Sequence, residues 1–196
     1  MNDMSIIRKT SSGIQNLSLD AVLLDKRMVF LSDTITSASA DLVVKQLLFL
    51  ECLDDRERIK LIINSPGGEV EAGLFLYQQI KGMDIPIDIY CTELAASMAA
   101  ILLAGGKNRY ILKSGRVMIH EPLISASSGG ISGSASQIAR TAETILDTKR
   151  RLNQLLANDT KRSLEEIEKL VADGDHWFTT EEAVKFGICD AIVDRV

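Results

Sequence analysis

Short apolar runs alternate along this chain with segments in which apolar residues recur every three or four positions. After a polar, serine-containing lead, Met28-Val29-Phe30-Leu31 is a β-branched and aromatic run, and the pattern predicts a buried strand over Arg27 to Leu31. Ser37 or Ser39 can then cap a helix running to about Leu53, with Val43, Leu47 and Leu50 on one face and Val44 and Leu48 beside them. So broad a stripe implies burial on more than one side. Ile59 to Ile63 predicts a second strand ending in Asn64-Ser65-Pro66-Gly67-Gly68, and a helix follows from about Glu69 to Lys81. Ile85 to Cys91 predicts a third strand, and Ala95 to Ala104, which has no polar face, reads as a helix inside the molecule. Arg109 to Leu112 and Val117 to His120 are short strands separated by Lys113, Ser114 and Gly115. Alternation of strand and helix points to βαβ units and a mainly parallel sheet flanked by helices, an α/β fold.

The pattern changes after His120. Ser125 to Ser136 is mostly Ser and Gly with Ile131 alone, too polar to order itself firmly, and reads as a mobile loop. A long helix from Gln137 to about Asn158 carries Ile138, Ala142, Ile145, Leu152 and Leu156 on one side and Lys149, Arg150 and Arg151 on the other. A helix of about 20 residues spans about 30 Å and can project from a compact body. Ser163, with Glu166 three residues on, predicts a capping box for a helix to Ala172, and Thr180 to Phe186 is a last short helix closed by Gly187. No internal repeat is visible, and 196 residues fit one domain over 1–196.

Composition narrows the function classes. Hydrophobic residues at 46% and charged residues at 25% are the balance of an ordinary globular protein with a sizeable core. The net charge of −5 leaves no basic stripe, which argues against nucleic acid as a partner. The three cysteines, Cys52, Cys91 and Cys189, form no CxxC pair, so they suggest neither a disulfide framework nor a zinc site. They read as small apolar core residues in a reducing compartment. Met1 to Thr10 lacks the apolar run of a signal peptide, and no stretch approaches the roughly 18 to 20 apolar residues of a membrane span. The expectation is a cytoplasmic chain with no membrane partner.

Three pieces could carry chemistry. The glycine turn at Gly67-Gly68 lets backbone N–H groups point outwards at a helix N-terminus, which suits an anion, although a tight turn needs glycine for steric reasons alone. It lacks the lysine of a phosphate-binding loop and the GxGxxG spacing. Ser97 lies among small residues in Ala95-Ala96-Ser97-Met98-Ala99-Ala100, where it reads either as a nucleophile with room for a substrate or as a helix cap or filler. A nucleophilic serine needs a base, and the chain has two histidines, His120 and His176. His120 ends an apolar strand at the C-terminal edge of the predicted sheet, where α/β proteins place their sites. His176, in Asp173-Gly174-Asp175-His176, reads as an exposed loop residue.

The blocks Ile63-Asn64-Ser65-Pro66-Gly67-Gly68, Ala95-Ala96-Ser97-Met98 and Val117-Met118-Ile119-His120-Glu121-Pro122 resemble, in order and spacing, the three signature blocks of the ClpP peptidase family. The likeness runs from about Met28 to the C-terminus and takes in Leu47 to Glu51, Glu181-Glu182-Ala183-Val184, Gly187 and Asp190. It implies a ClpP/crotonase-like fold of βαβ units with a projecting handle helix, in which residues 1–26 form an axial segment and about 121–158 the handle region. It implies a serine endopeptidase with Ser97 as nucleophile, His120 as general base and Asp175 orienting the histidine, Asp173 being the competing choice. The backbone N–H groups of Gly68 and Met98 would form the oxyanion hole. Further implications are a homo-oligomer of two stacked heptameric rings and unfolded protein substrates. A Clp ATPase of the ClpX or ClpC/ClpA type would deliver them, with ATP used by that partner and neither metal nor cofactor needed by this chain.

The sequence departs from the family pattern in places. Lys60 and Ile62 stand where tyrosines usually help to line the ATPase docking pocket, and the Ser125 to Ser136 segment is longer and richer in serine than usual. Glu69 and Glu71 add negative charge near the oxyanion site. These departures suggest a divergent second isoform that works in a mixed complex with a more typical ClpP paralogue. Two alternatives stand beside it: a non-catalytic ring subunit, and a crotonase-fold enzyme acting on an acyl thioester, where paired amides also stabilise an oxyanion.

Overall fold

The structure, a computed structural model, describes residues 5–10, 13–123 and 133–196. The predicted Ser125 to Ser136 loop falls largely outside them. The polar lead, to which no element was assigned from the sequence, forms an antiparallel hairpin of β1 (Ser5–Thr10) and β2 (Gly13–Ser18), followed by helix α1 (Leu19–Asp25). Alternation in this hairpin carries no apolar face, so its sequence gave no strand signal.

The βαβ prediction holds. Strand β3 (Met28–Ser32), helix α2 (Ser37–Leu53), strand β4 (Ile59–Ser65), helix α3 (Val70–Gly82) and strand β5 (Ile87–Ala96) follow one another, and β3, β4 and β5 pair in parallel. The cap of α2 is Thr36 rather than Ser37 or Ser39; its hydroxyl accepts from the Ser39 amide while the Ser39 side chain accepts from the Thr36 amide. Helix α2 buries Val43, Val44, Leu47 and Leu50, but Leu42, Leu48, Phe49 and Leu53 stay exposed, so its broad stripe is covered on one side only in the single chain.

Strand β5 departs most from expectation, and the departure builds the site. It runs on through Ala96 where a helix was predicted from Ala95, because the apolar, alanine-rich stretch carries no signal that separates a buried strand from a buried helix. The short helix α4 (Met98–Ala104) begins beyond Ser97, and all seven of its residues are buried as expected. Ile63 pairs with Cys91 but Ser65 with Ala95, so two steps along β4 answer four along β5, and β5 bends. Asp88 to Cys91 lie beside β6 (Asn108–Leu112), whereas Leu94 to Ala96 lie beside β7 (Arg116–Ile119). The bend thus sends the strand's end towards a second partner.

Beyond β7, α5 (Ala135–Thr160) starts with a capping box between Ser134 and Gln137, and its residues 135–144 are exposed. Only its second half packs, through Leu152, Asn153, Leu156, Ala157 and Thr160, so the helix projects as predicted. Helices α6 (Leu164–Ala172) and α7 (Thr180–Phe186) lie where the caps placed them, with Ser163 accepting from the Glu166 amide. Two three-residue strands escaped prediction: β8 (His176–Phe178), antiparallel to β7, and β9 (Ala191–Val193), parallel to β6. His176 is therefore a half-buried strand residue with its ring edge-on to Phe178, not an exposed loop histidine.

One apolar core runs between the sheet and helices α2 to α7, from Val29 to Cys189. Cys91 and Cys189 belong to it, and burial pushes the Cys91 thiol up to about 12; Cys52 is exposed, contrary to its reading as a core residue. Arg109 ties the C-terminal end together. It donates to the carbonyls of Gly187 at 2.6 Å and Ala104 at 3.2 Å and to both Asp190 oxygens, at 2.5 and 3.2 Å. Burial works against ionisation of Asp190, but these hydrogen bonds outweigh it and hold its carboxyl below the usual aspartate range.

Candidate active site

The site lies at the C-terminal ends of β4, β5 and β7. Strand β4 ends at Ser65, which is fully buried; its hydroxyl donates to the Asp33 carbonyl at 2.5 Å and accepts from the Gly67 amide at 3.1 Å. The turn is then sewn to the segment after β3, with the Ile35 amide on the Gly67 carbonyl at 2.8 Å and the Glu69 amide on the Ile35 carbonyl at 2.9 Å. Glycine is required twice here. Gly67 has φ +92, and a Cβ on it would lie 2.7 Å from both the Ala96 carbonyl oxygen and Ser97 Cβ; one on Gly68, at φ +155, would lie 2.1 Å from the Ile35 carbonyl oxygen.

Ser97 occupies the sharp passage from β5 to α4, with φ 55 and ψ −123. That conformation costs a serine about 1 to 3 kcal/mol and is held by its surroundings. The Ser97 amide donates to the Met118 carbonyl at 2.8 Å, fastening the passage to β7, and the Ser97 carbonyl accepts from Ala100 at 3.0 Å. Its hydroxyl makes no capping hydrogen bond, which removes the reading of Ser97 as a helix cap. A serine on a strained strand-to-helix turn, with its hydroxyl not used as a cap, is the arrangement other hydrolases use to present a nucleophile.

A cavity of about 220 Å³ opens beside it, lined by Ser97, His120, Gly68 and Met98 together with apolar Val70, Ile101, Leu152 and Leu156. Among the described residues the amides of Gly68 and Met98 donate to no protein acceptor. Met98 lacks one because it opens α4; Gly68 lacks one because the Ile35 ladder uses the groups on either side of it. The carboxylate of Glu69 is turned away to the N-terminus of α2, where it accepts from the Ser37 amide at 3.0 Å and hydroxyl at 2.8 Å.

His120 follows the last residue of β7, and its Nδ1 is buried without a partner. The β7–β8 ladder ends on the pair Ile119–His176, so His120 and Asp175 are the residues that adjoin it at that end. Asp173 lies two residues beyond Asp175, in the turn after α6. Asp175 itself is exposed, and no hydrogen bond joins it to His120 or His120 to Ser97. The fold thus brings Ser97, His120, Gly68 and Met98 around one cavity and leaves Asp175 outside its lining. The residue after His120, Glu121, pairs with Lys149 of α5, so the projecting helix and the histidine strand are tied together.

Two features of the site were not read from the sequence. The Asp33 to Ile35 segment braces the glycine turn through backbone contacts that leave no local trace. Asn153, 5% exposed, lines the cavity with its Nδ2 buried and unpartnered; its place between Leu152 and Leu156 on an apolar stripe was the available signal. No group of three or more potential metal ligands occurs among the described residues, and no helix among them is long and apolar enough to cross a membrane.

The fold and site together define an α/β protein with a serine-bearing strand-to-helix turn facing a histidine across a cleft at the strand ends. A family model described as Clp protease matches residues 11–196, and the chain belongs to that family of peptidases.

Proposed function

We propose that the chain is the proteolytic subunit of a Clp protease and hydrolyses peptide bonds of unfolded proteins by a serine mechanism. Ser97 Oγ attacks the scissile carbonyl carbon while His120 takes its proton. The resulting oxyanion accepts hydrogen bonds from the Gly68 and Met98 amides, each such donor being worth about 100- to 1,000-fold in turnover. His120 then gives the proton to the leaving amine, and water, activated by the same imidazole, releases the acyl group from Ser97. Asp175 would accept from His120 Nδ1, hold the imidazole in the required tautomer and stabilise its cation. The observation that carries this reading is the strained Ser97 passage, uncapped and opposite His120, with two unengaged amides beside it. No metal or nucleotide enters these steps, and ATP would be used by the partner ATPase.

Assembly belongs to the same proposal. Exposed Leu42, Leu48, Phe49 and Leu53 on α2, and Ile138 and Leu146 on α5, are apolar surface that a ring of like subunits would bury, and α5 would join one heptameric ring to the next. The cytoplasm is the compartment that fits such a complex. Docking of a hexameric Clp ATPase remains the point on which Lys60 and Ile62 depart from the family.

One observation favours a second reading, in which the chain shapes a mixed ring with a ClpP paralogue and is catalytic only there: His120 Nδ1 has no partner in the single chain. Intact-mass analysis after a fluorophosphonate probe, with Ser97→Ala in parallel, separates the two. Labelling of the isolated protein that vanishes in the variant supports the catalytic reading. Labelling that arises only after a paralogue is added supports the mixed ring, and none under either condition leaves a non-catalytic subunit.

A further inference from the structure

We propose that Asn153 sets the side-chain preference of this cleft, selecting at the residue just before the scissile bond a linear side chain with a hydrogen-bond acceptor near its tip, glutamine first and methionine next. The inference rests on the serine-peptidase reading, because the side chain beside Ser97 is then that of the residue whose carbonyl is attacked.

The cavity of about 220 Å³ has apolar walls, with Ile101, Leu152, Leu156 and Val171 all at most 8% exposed. It is large enough for an extended side chain of a few heavy atoms. Asn153 interrupts the apolar helix face between Leu152 and Leu156, and its Nδ2 is buried with no acceptor. A buried amide left unpaired is destabilising, and an alanine or leucine there would avoid the cost. The other polar residue on this packed half of α5 behaves differently: Thr160 donates back to the Leu156 carbonyl at 2.6 Å. An unspent donor in an otherwise greasy pocket fits a ligand that is apolar along its length and accepting at its end. Rotation about the soft terminal torsion of asparagine would present the amide to it. Glutamine offers a carbonyl oxygen and methionine a weakly accepting sulfur; norleucine has the shape of methionine and no acceptor.

The test uses matched fluorogenic peptides that differ only in this residue, assayed on the fluorophosphonate-reactive oligomer. Wild type should cleave the glutamine peptide about five- to tenfold better in kcat/KM than the norleucine peptide, with methionine between them. Asn153→Leu should bring that ratio to about one. If Asn153→Leu does not assemble, Asn153→Asp, of equal size but without the donor, should bring the methionine-to-norleucine ratio to one or below, since methionine, unlike glutamine, has no N–H for the carboxylate to accept. A wild-type ratio near one, or an unchanged ratio in the variant, overturns the role of Asn153 while Ser97-dependent cleavage still stands. A protein that neither cleaves these peptides nor takes the probe overturns both readings.

Discussion

Ser97 and His120 face one cavity, yet the two walls are held in different ways. The Ser97 passage is fixed by the Met118 carbonyl, by Gly67 packed flat against it and by a fully buried α4. His120 leaves a strand that pairs with β8 over three residues, its Nδ1 has no partner, and Asp175, just before β8, is exposed. The serine wall is complete within one chain; the histidine wall ends in open valences. In a family that works as an assembly, this difference points to the histidine side as the part that contacts between subunits would tighten.

Substitutions on either side test that contrast. Ser97→Ala should abolish probe labelling and lower kcat by roughly 10⁴-fold or more without unfolding the chain. Because the backbone at Ser97 is strained, Ser97→Gly should melt above Ser97→Ala, by the equivalent of roughly 1 kcal/mol; equal melting temperatures would mean that the passage relaxes freely. Gly67→Ala attacks the same wall through the backbone. It should lose labelling and at least about 2 kcal/mol of stability in denaturant titration, since the added Cβ meets backbone oxygen rather than a yielding side chain.

Asp175→Asn probes the other wall. We expect kcat to fall by about 10³- to 10⁴-fold with the melting temperature hardly moved, because the side chain is exposed, while Asp173→Asn should keep most activity. Reversal of the two would reassign the third catalytic residue. Asp190→Asn weakens the clamp of Arg109, which ties β6 to the connection between α7 and β9. The folded carboxyl is depressed, so its contribution is present at neutral pH and is lost as pH falls from 3.8 through the lower folded value. The variant should therefore melt lower than wild type at pH 7, and the gap should close in acid; a gap that is constant with pH would assign the effect to packing instead. The smallest effect is expected from Lys149→Met, which breaks the half-exposed pair with Glu121. It should cost less than about 1 kcal/mol and slow turnover a few-fold, and no change in turnover would show that α5 does not position His120.

Much of this was legible in the residues. The alternation of β3, α2, β4, α3 and β5, the buried α4, the projecting α5 and the caps of α6 and α7 follow from periodicity and capping chemistry, which act over a few residues and so leave a local record. The three blocks that identify the family are likewise continuous stretches. The short strands β8 and β9 were not legible, because three residues carry no period and pair only with strands far away in sequence. The boundary at Ser97 was misplaced for a related reason: Ala95 and Ala96 satisfy strand and helix alike, and the register shift opposite Ile63 to Ser65 decided for strand.

The chain order by itself determined the types of the longer elements, the glycine turn and the candidate nucleophile and base. Tertiary structure alone decided that Gly67 lies against Ser97, that Asp175 and His120 adjoin the same end of the β7–β8 ladder, and that Asn153 lines the cleft with its Nδ2 buried and unpaired. Each of these joins residues from different elements, and such contacts depend on how the sheet bends and how its strands register, quantities that no local pattern encodes.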